Sequence, residues 1–457
     1  MTYLNILHFL STYAYSDKII FVIVSILVVV LIIDTSVNKI YYFTFNQSPL
    51  GWRVFLFIGV SSVSLVGLHL ISRFVKQRSE HIRNRKLLHT NELDKIVMIS
   101  QFLLTAIIIF VILQITIMSH YNVILLTSAA WISYITAITM MGILTQKFFS
   151  WFKTNRNSTV FLYGLSSVMV VINAVFIITF LSATLNNASV YARPHIGTGY
   201  PFFNLGPVTD ILNFGYVISS ILSFMLWWIA TISVLRHYSQ KSKKRYWFIL
   251  IIPLVYFLVQ FQPLFVNLFS SFLASDPVSF SITYTLIFTI SKPVGGILFS
   301  IAFWAVARKI QRSNAVRNYI IISAYGLVLL FVSNQGAILA SAPYPPFGLA
   351  TVSFMGLASY LILVGIYSSA ISVSEDSKLR KSIRNFAMNE AKLVDSIGTA
   401  EMEQEIQRRV IDMTKVTQDI MTEETGVQPS LNEEDIKQYL LKVIEEVKAV
   451  KKEDDNI

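Results

Sequence analysis

The chain has 457 residues, 54% hydrophobic and only 14% charged, with a formal net charge of +11 and a mean hydropathy of +0.59. An average soluble domain is roughly a quarter charged, so this composition excludes an ordinary water-soluble globular protein. The absence of cysteine excludes disulfides, thiolate metal sites and cysteine nucleophiles.

The opening MTYLNILHFLSTYAYSDK has no basic n-region and no small-residue cleavage site, and is expected to be a short cytoplasmic lead. Apolar runs of about 20 residues then recur, the length that crosses about 30 Å of hydrocarbon at 1.5 Å per residue. Ten are predicted, near 18–34, 53–72, 96–118, 122–145, 159–182, 212–235, 247–269, 283–307, 319–340 and 348–373. The basic stretches RFVKQRSEHIRNRK, KFFSWFKTNR, RHYSQKSKKR and RKIQRSNAVR follow the second, fourth, sixth and eighth runs. Lys and Arg beside helix ends stay on the cytoplasmic side, so every even-numbered helix is expected to end inside, with both termini cytoplasmic. Residues 1–374 therefore predict an all-α, polytopic bundle of about ten transmembrane helices in the cell membrane. From residue 375 onward the net charge is −6, against +17 upstream. The basic excess suits loops facing an anionic leaflet, worth about 1 kcal/mol per residue near the surface, and calls for no nucleic-acid partner.

The seven acids before the tail are Asp17, Asp34, Glu80, Glu92, Asp94, Asp210 and Asp276, all expected in loops or at helix ends. An ion-coupled transporter usually keeps a carboxylate in mid-membrane, so their placement argues against an ordinary proton antiporter or sodium symporter. No two of the seven histidines share a helix at i, i+4 spacing, which argues against a haem or zinc site. No phosphate-binding loop, kinase set or nucleophile elbow is present. The sequence thus predicts no catalytic residues, no metal, no cofactor and no enzymatic activity.

The eighth run, TISKPVGGILFS, contains Lys292 directly before Pro293. On the expected orientation Lys292 lies about 14 Å below the outer helix end. Gln260 and Gln262 on the seventh run and Asn334 and Gln335 on the ninth fall in the same outer half, as do Asn173 and Gln114. A proline frees carbonyls one turn earlier, which then need donors. Two readings follow. In one, Lys292 and the amides are interhelical glue, at roughly 0.6 kcal/mol per bond. In the other, Lys292, Gln260, Gln262, Asn334 and Gln335 bind a small anionic or carbonyl-bearing ligand in an outward-facing pocket. Ser291 with Gly295, and Gly296 with Ser300, predict close helix packing. The longest outer connection, residues 188–210, is a candidate lid or plug.

The tail divides at its GVQP break. In 375–425, Leu379, Ile383, Phe386, Leu393 and Ile397 form a partly coiled-coil seam, which Ile406, Val410, Met413 and Ile420 resume after a register slip near Gly398. In 426–457, Ser430 and Glu433 make a capping box before the apolar face of Ile436, Leu440, Ile444 and Val447. Such stripes imply a cytoplasmic protein partner or a homodimer through the tail. The stretch SIRNFAMNEAKLVDSIGTAEMEQEIQRRV resembles the tails of uncharacterised polytopic membrane proteins of ammonia-oxidising archaea, a resemblance that implies no particular activity. In architecture, helices four to ten followed by a cytoplasmic helix are similar to seven-helix sensor modules that feed a coil. The sequence reading is thus a membrane receptor or signalling scaffold, with a transporter or channel for a small solute, or a structural subunit of a larger membrane complex, as alternatives.

Overall fold

The computed structural model describes residues 17–41, 50–83, 88–186, 189–192, 207–235, 243–261, 275–310, 315–375, 392–425, 439 and 442–443. In chain order the elements are α1 (Asp17–Tyr41), α2 (Leu50–Arg83), α3 (Leu88–Met118), β1 (Tyr121–Asn122), α4 (Val123–Thr154), α5 (Ser158–Leu185), β2 (Tyr191–Ala192), α6 (Pro207–Leu235), α7 (Lys243–Val259), α8 (Pro277–Thr289), α9 (Ser291–Lys309), α10 (Ala315–Ser333), the 3-10 helix η1 (Gly336–Ser341), α11 (Leu349–Glu375) and α12 (Lys392–Thr425). Among the described residues, nine helical segments are long and apolar enough to cross a membrane. Each coincides with one of the ten expected runs, with α8 and α9 together forming one crossing. The run expected at 247–269 appears as α7, whose apolar part, Trp247–Val259, is shorter; residues 262–274 lie outside the described residues. The chain is a multi-pass, all-α membrane bundle.

Local chemistry sets several boundaries. Asn122 and Asn157 cap α4 and α5 by accepting from the N–H of Ile124 and Thr159, each two residues on. The connections at the Asn122 end are pinned by β1 pairing antiparallel with β2, Tyr121 opposite Ala192. This ties the start of the long connection to the α3–α4 turn; residues 193–206 of the candidate lid are outside the described residues.

The core is the α10–α11 hairpin. In α11, 94% of the most apolar 18-residue stretch is buried, against 33% in α3. Its sequence explains why: LATVSFMGLASYLILVGIYSSAISVSE is apolar or small on every face, and Ser353 and Ser359 return their hydroxyls to the carbonyls four residues earlier, at 2.8 and 2.9 Å. α11 accordingly packs against α10, α4, α2, α3, α1 and α12. Its glycines sit where neighbours come closest: a Cβ on Gly356 would lie 3.1 Å from Thr136 of α4. The small-residue pairs on α9 act as their spacing predicts. Gly296 meets Phe331 of α10, where a Cβ would be 2.7 Å from the Phe331 Cβ, and Gly295 faces the ring of Phe224 on α6. Phe224 stacks on Phe257 of α7 at 4.0 Å and meets Phe299 edge-on at 5.3 Å, so aromatic rings join α6, α7 and α9.

The tail departs from expectation. α12 runs as one continuous helix through Gly398. Gly398 is instead the point of close approach to α11, packed on Val373. Leu393, Val394, Ile397 and Ala400 are buried, so the first half of the stripe is spent on the bundle, not on a coil. Beyond it Ile406, Met413, Val416, Ile420 and Met421 are exposed. Leu379, Ile383 and Phe386, the 426–438 segment with its capping box, and most of the final helix lie outside the described residues.

Candidate functional site

The site begins with two interruptions in neighbouring helices. Pro293 has no N–H for the Thr289 carbonyl, and the helix breaks at Ile290 between α8 and α9. Local donors serve the freed carbonyls: the Tyr256 hydroxyl bonds the Ile287 carbonyl, and Ser291 Oγ donates to the Phe288 carbonyl at 2.7 Å. Gln260 joins this group, its Nε2 donating to the Phe257 carbonyl at 2.8 Å and to Ser291 Oγ at 3.3 Å, while its own carbonyl accepts from the Tyr284 hydroxyl at 2.7 Å. The Lys292 ammonium is not among these donors.

It reaches across to the second interruption. α10 stops at Ser333, and after Asn334 and Gln335 the chain continues as η1. Lys292 Nζ donates to the Asn334 carbonyl at 3.1 Å and to the Tyr216 hydroxyl at 3.2 Å, and lies 5.2 Å from the centre of the Tyr216 ring. Asn334 Nδ2 donates to Asn173 Oδ1 at 3.0 Å, and Asn173 Nδ2 donates to the Tyr216 carbonyl and to Ser219 Oγ, both at 2.9 Å. The Tyr134 hydroxyl accepts from the Gly336 N–H at 3.1 Å, fixing the start of η1. One layer of hydrogen bonds thus links α4, α5, α6, α9 and the α10–η1 break. Within it, Asn334 Oδ1 is buried and has no hydrogen-bond partner.

Of the five residues expected to bind a ligand, Lys292 and Asn334 meet directly. Gln335 is adjacent, with Nε2 3.4 Å from the Val332 carbonyl. Gln260 belongs to the separate α7–α8 cluster, reaching Ser291 but not the Lys292 ammonium, and Gln262 lies outside the described residues. Sequence reasoning missed Tyr216, Ser219 and Tyr134 and left Asn173 out of the set. Asn173, an amide inside an apolar run at the same depth, carried a usable signal; a tyrosine near an outer helix end looks the same as one anchoring at the interface.

The expectation that every acid lies in a loop or at a helix end is corrected by Asp34. It is within α1 and fully buried, at 0% exposure. Its Oδ2 accepts from the Thr351 N–H at 3.0 Å and the Thr351 hydroxyl at 2.8 Å. Carboxylates suit helix N-termini, whose first N–H groups lack partners, and Thr351 is in the first turn of α11. Gly348, just before that helix, has φ of 96°, a left-handed turn that glycine adopts without strain. Asp34 is a structural clamp placed seventeen positions into the helix from Asp17, about 26 Å along it.

Two surface cavities flank the bundle, one of about 900 Å³ between α2, α3 and α11, and one of about 840 Å³ against α4, α5 and the β2 strand's approach. Neither is lined by Lys292. The fold and these polar layers define a class, a multi-pass helical membrane protein with internal hydrogen-bonded layers. No protein-family description, curated protein or solved structure matches the chain.

Proposed function

We propose that the protein is a membrane receptor or signalling scaffold in which the Lys292 layer biases the α10–α11 hairpin and α12 passes that bias to a cytoplasmic partner. The observation that carries this reading is continuity. The interrupted end of α10, bonded by Lys292, leads through η1 into α11, and α11 carries the docked helix α12 at its far end. The basic connections next to that end support a cytoplasmic position for it. The open Asn334 Oδ1 and the Lys292 ammonium offer an acceptor and a donor to a small polar ligand. The resemblance of the tail to those of archaeal polytopic proteins is compatible with this role and adds no ligand.

A second reading, transport of a small anionic or neutral solute, is favoured by the break itself. Discontinuous helices with unbonded backbone near mid-membrane are how many transporters build their sites. Thermal shift of purified wild type and Lys292→Met against anionic and neutral metabolites tests the shared premise. A metabolite that stabilises only wild type supports the site. A variant equally stable or more stable, with no responding metabolite, makes the layer interhelical glue and the protein an assembly subunit. Deleting residues 392–457 then separates the two functional readings: a transporter keeps solute flux, whereas a receptor loses output and keeps ligand.

A further inference from the structure

The 900 Å³ cavity lies at the end of the bundle where the basic RFVKQRSEHIRNRK stretch begins. Its inner wall is apolar, with Leu65 and Leu68 of α2, Val97 and Phe102 of α3, and Leu357 of α11. Its rim is basic, with Arg73 and Lys76 on α2 and Lys95 on α3. The two rim acids are already engaged: Glu92 pairs with Lys95 at 3.0 Å, and Asp94 accepts from the Tyr360 hydroxyl. Arg73 forms no ion pair among the described residues. Deeper in, Gln101 is only 6% exposed, yet neither its Oε1 nor its Nε2 has a partner; at the rim, Ser72 Oγ, one position from Arg73, is unbonded too. A buried amide with both ends open calls for a ligand that supplies partners.

The vertical spacing identifies that ligand. Gln101 is six residues beyond Lys95, about 9 Å deeper along α3. This is the order of groups in a membrane lipid: anionic headgroup, then glycerol oxygens, then hydrocarbon. Basic pockets between membrane helices on the cytoplasmic side suit anionic headgroups. We propose that this cavity binds a phosphate-bearing anionic membrane lipid, with its phosphate at Arg73, Lys76 and Lys95 and beside Ser72, its glycerol oxygens at Gln101, and a chain along Leu65 and Phe102. The site is independent of the role of the Lys292 layer.

Native mass spectrometry of the full chain, titrated with phosphatidylglycerol and phosphatidylcholine of matched chains, tests this. Wild type is expected to retain phosphatidylglycerol roughly tenfold more tightly, a ratio that Arg73→Gln combined with Lys76→Gln reduces to about one. Both side chains are exposed at the rim, so the double variant keeps the fold. Gln101→Leu is expected to weaken both lipids by a similar factor, and Lys147→Gln, outside the cavity, to change neither. Equal retention of the two lipids by wild type, or an unchanged preference in the double variant, overturns the proposal. Binding of glycerol phosphate or inorganic phosphate as tight as that of phosphatidylglycerol overturns the lipid assignment in favour of a soluble anion.

Discussion

At one end of α11 the anchoring charge is sealed inside the bundle, where Asp34 accepts from the Thr351 N–H and hydroxyl at 0% exposure. At the other end the anchoring groups are part-buried: Glu401 of α12 accepts from the Trp151 Nε1–H at 2.7 Å and pairs with Lys147 at 3.8 Å, with the Glu401 and Lys147 side chains 13% and 32% exposed. Gln404 adds bonds to Ser150 and Thr154 of α4, and Asn157 donates to Ser396 at 2.6 Å. Water competes less for the first set than for the second. On the signalling reading proposed above, the sealed end would fix where α11 stands and the part-exposed end would be the one at which α12 undocks.

The largest way to break the comparison is Asp34→Ala, which leaves the buried Thr351 N–H at the start of α11 without an acceptor and the Thr351 hydroxyl with the Leu31 carbonyl at 3.1 Å. It is expected to destabilise the bundle by about 2 kcal/mol, with Asp34→Asn losing less, read as melting temperature in detergent. Gly398→Leu forces a side chain into Val373 and should undock α12 at an expense of about 1–3 kcal/mol to docking alone, so protease nicking of the 376–391 connection rises while the melting temperature of the bundle holds. The smallest effect is expected from Glu401→Gln, which keeps an acceptor for Trp151 and loses only the Lys147 pair. Docking weakens by a few tenths of a kcal/mol, and the difference from wild type shrinks as salt rises.

The crossings were legible because length and apolarity state them directly, and because α11, apolar on every face, reads as a buried helix. The Lys292 depth was legible from its place in the eighth run. What bonds it was legible in part: Asn334 was expected beside it, whereas Tyr216, and Asn173 that holds Asn334, come from helices far away in sequence that only packing brings together. Asp34 was misread because an acid near the end of an apolar run looks like a boundary, whereas α1 continues to Tyr41. The packing of Gly398 on Val373 was not legible for a related reason. A glycine in a heptad-like pattern resembles a break in sequence, yet a close approach to another helix demands the same residue.

The central claim is that the Lys292 layer and the docking of α12 are coupled through α11. The chain has no cysteine, so spin labels at Lys153→Cys on α4 and Met413→Cys on α12, both exposed positions, report docking directly. Electron–electron distance distributions would be compared in reconstituted protein with and without Lys292→Met. The account predicts a single docked distance in the parent and a second, longer population when the Lys292 bonds to Tyr216 and Asn334 are lost. Identical distributions in a Lys292→Met protein that remains folded would contradict it.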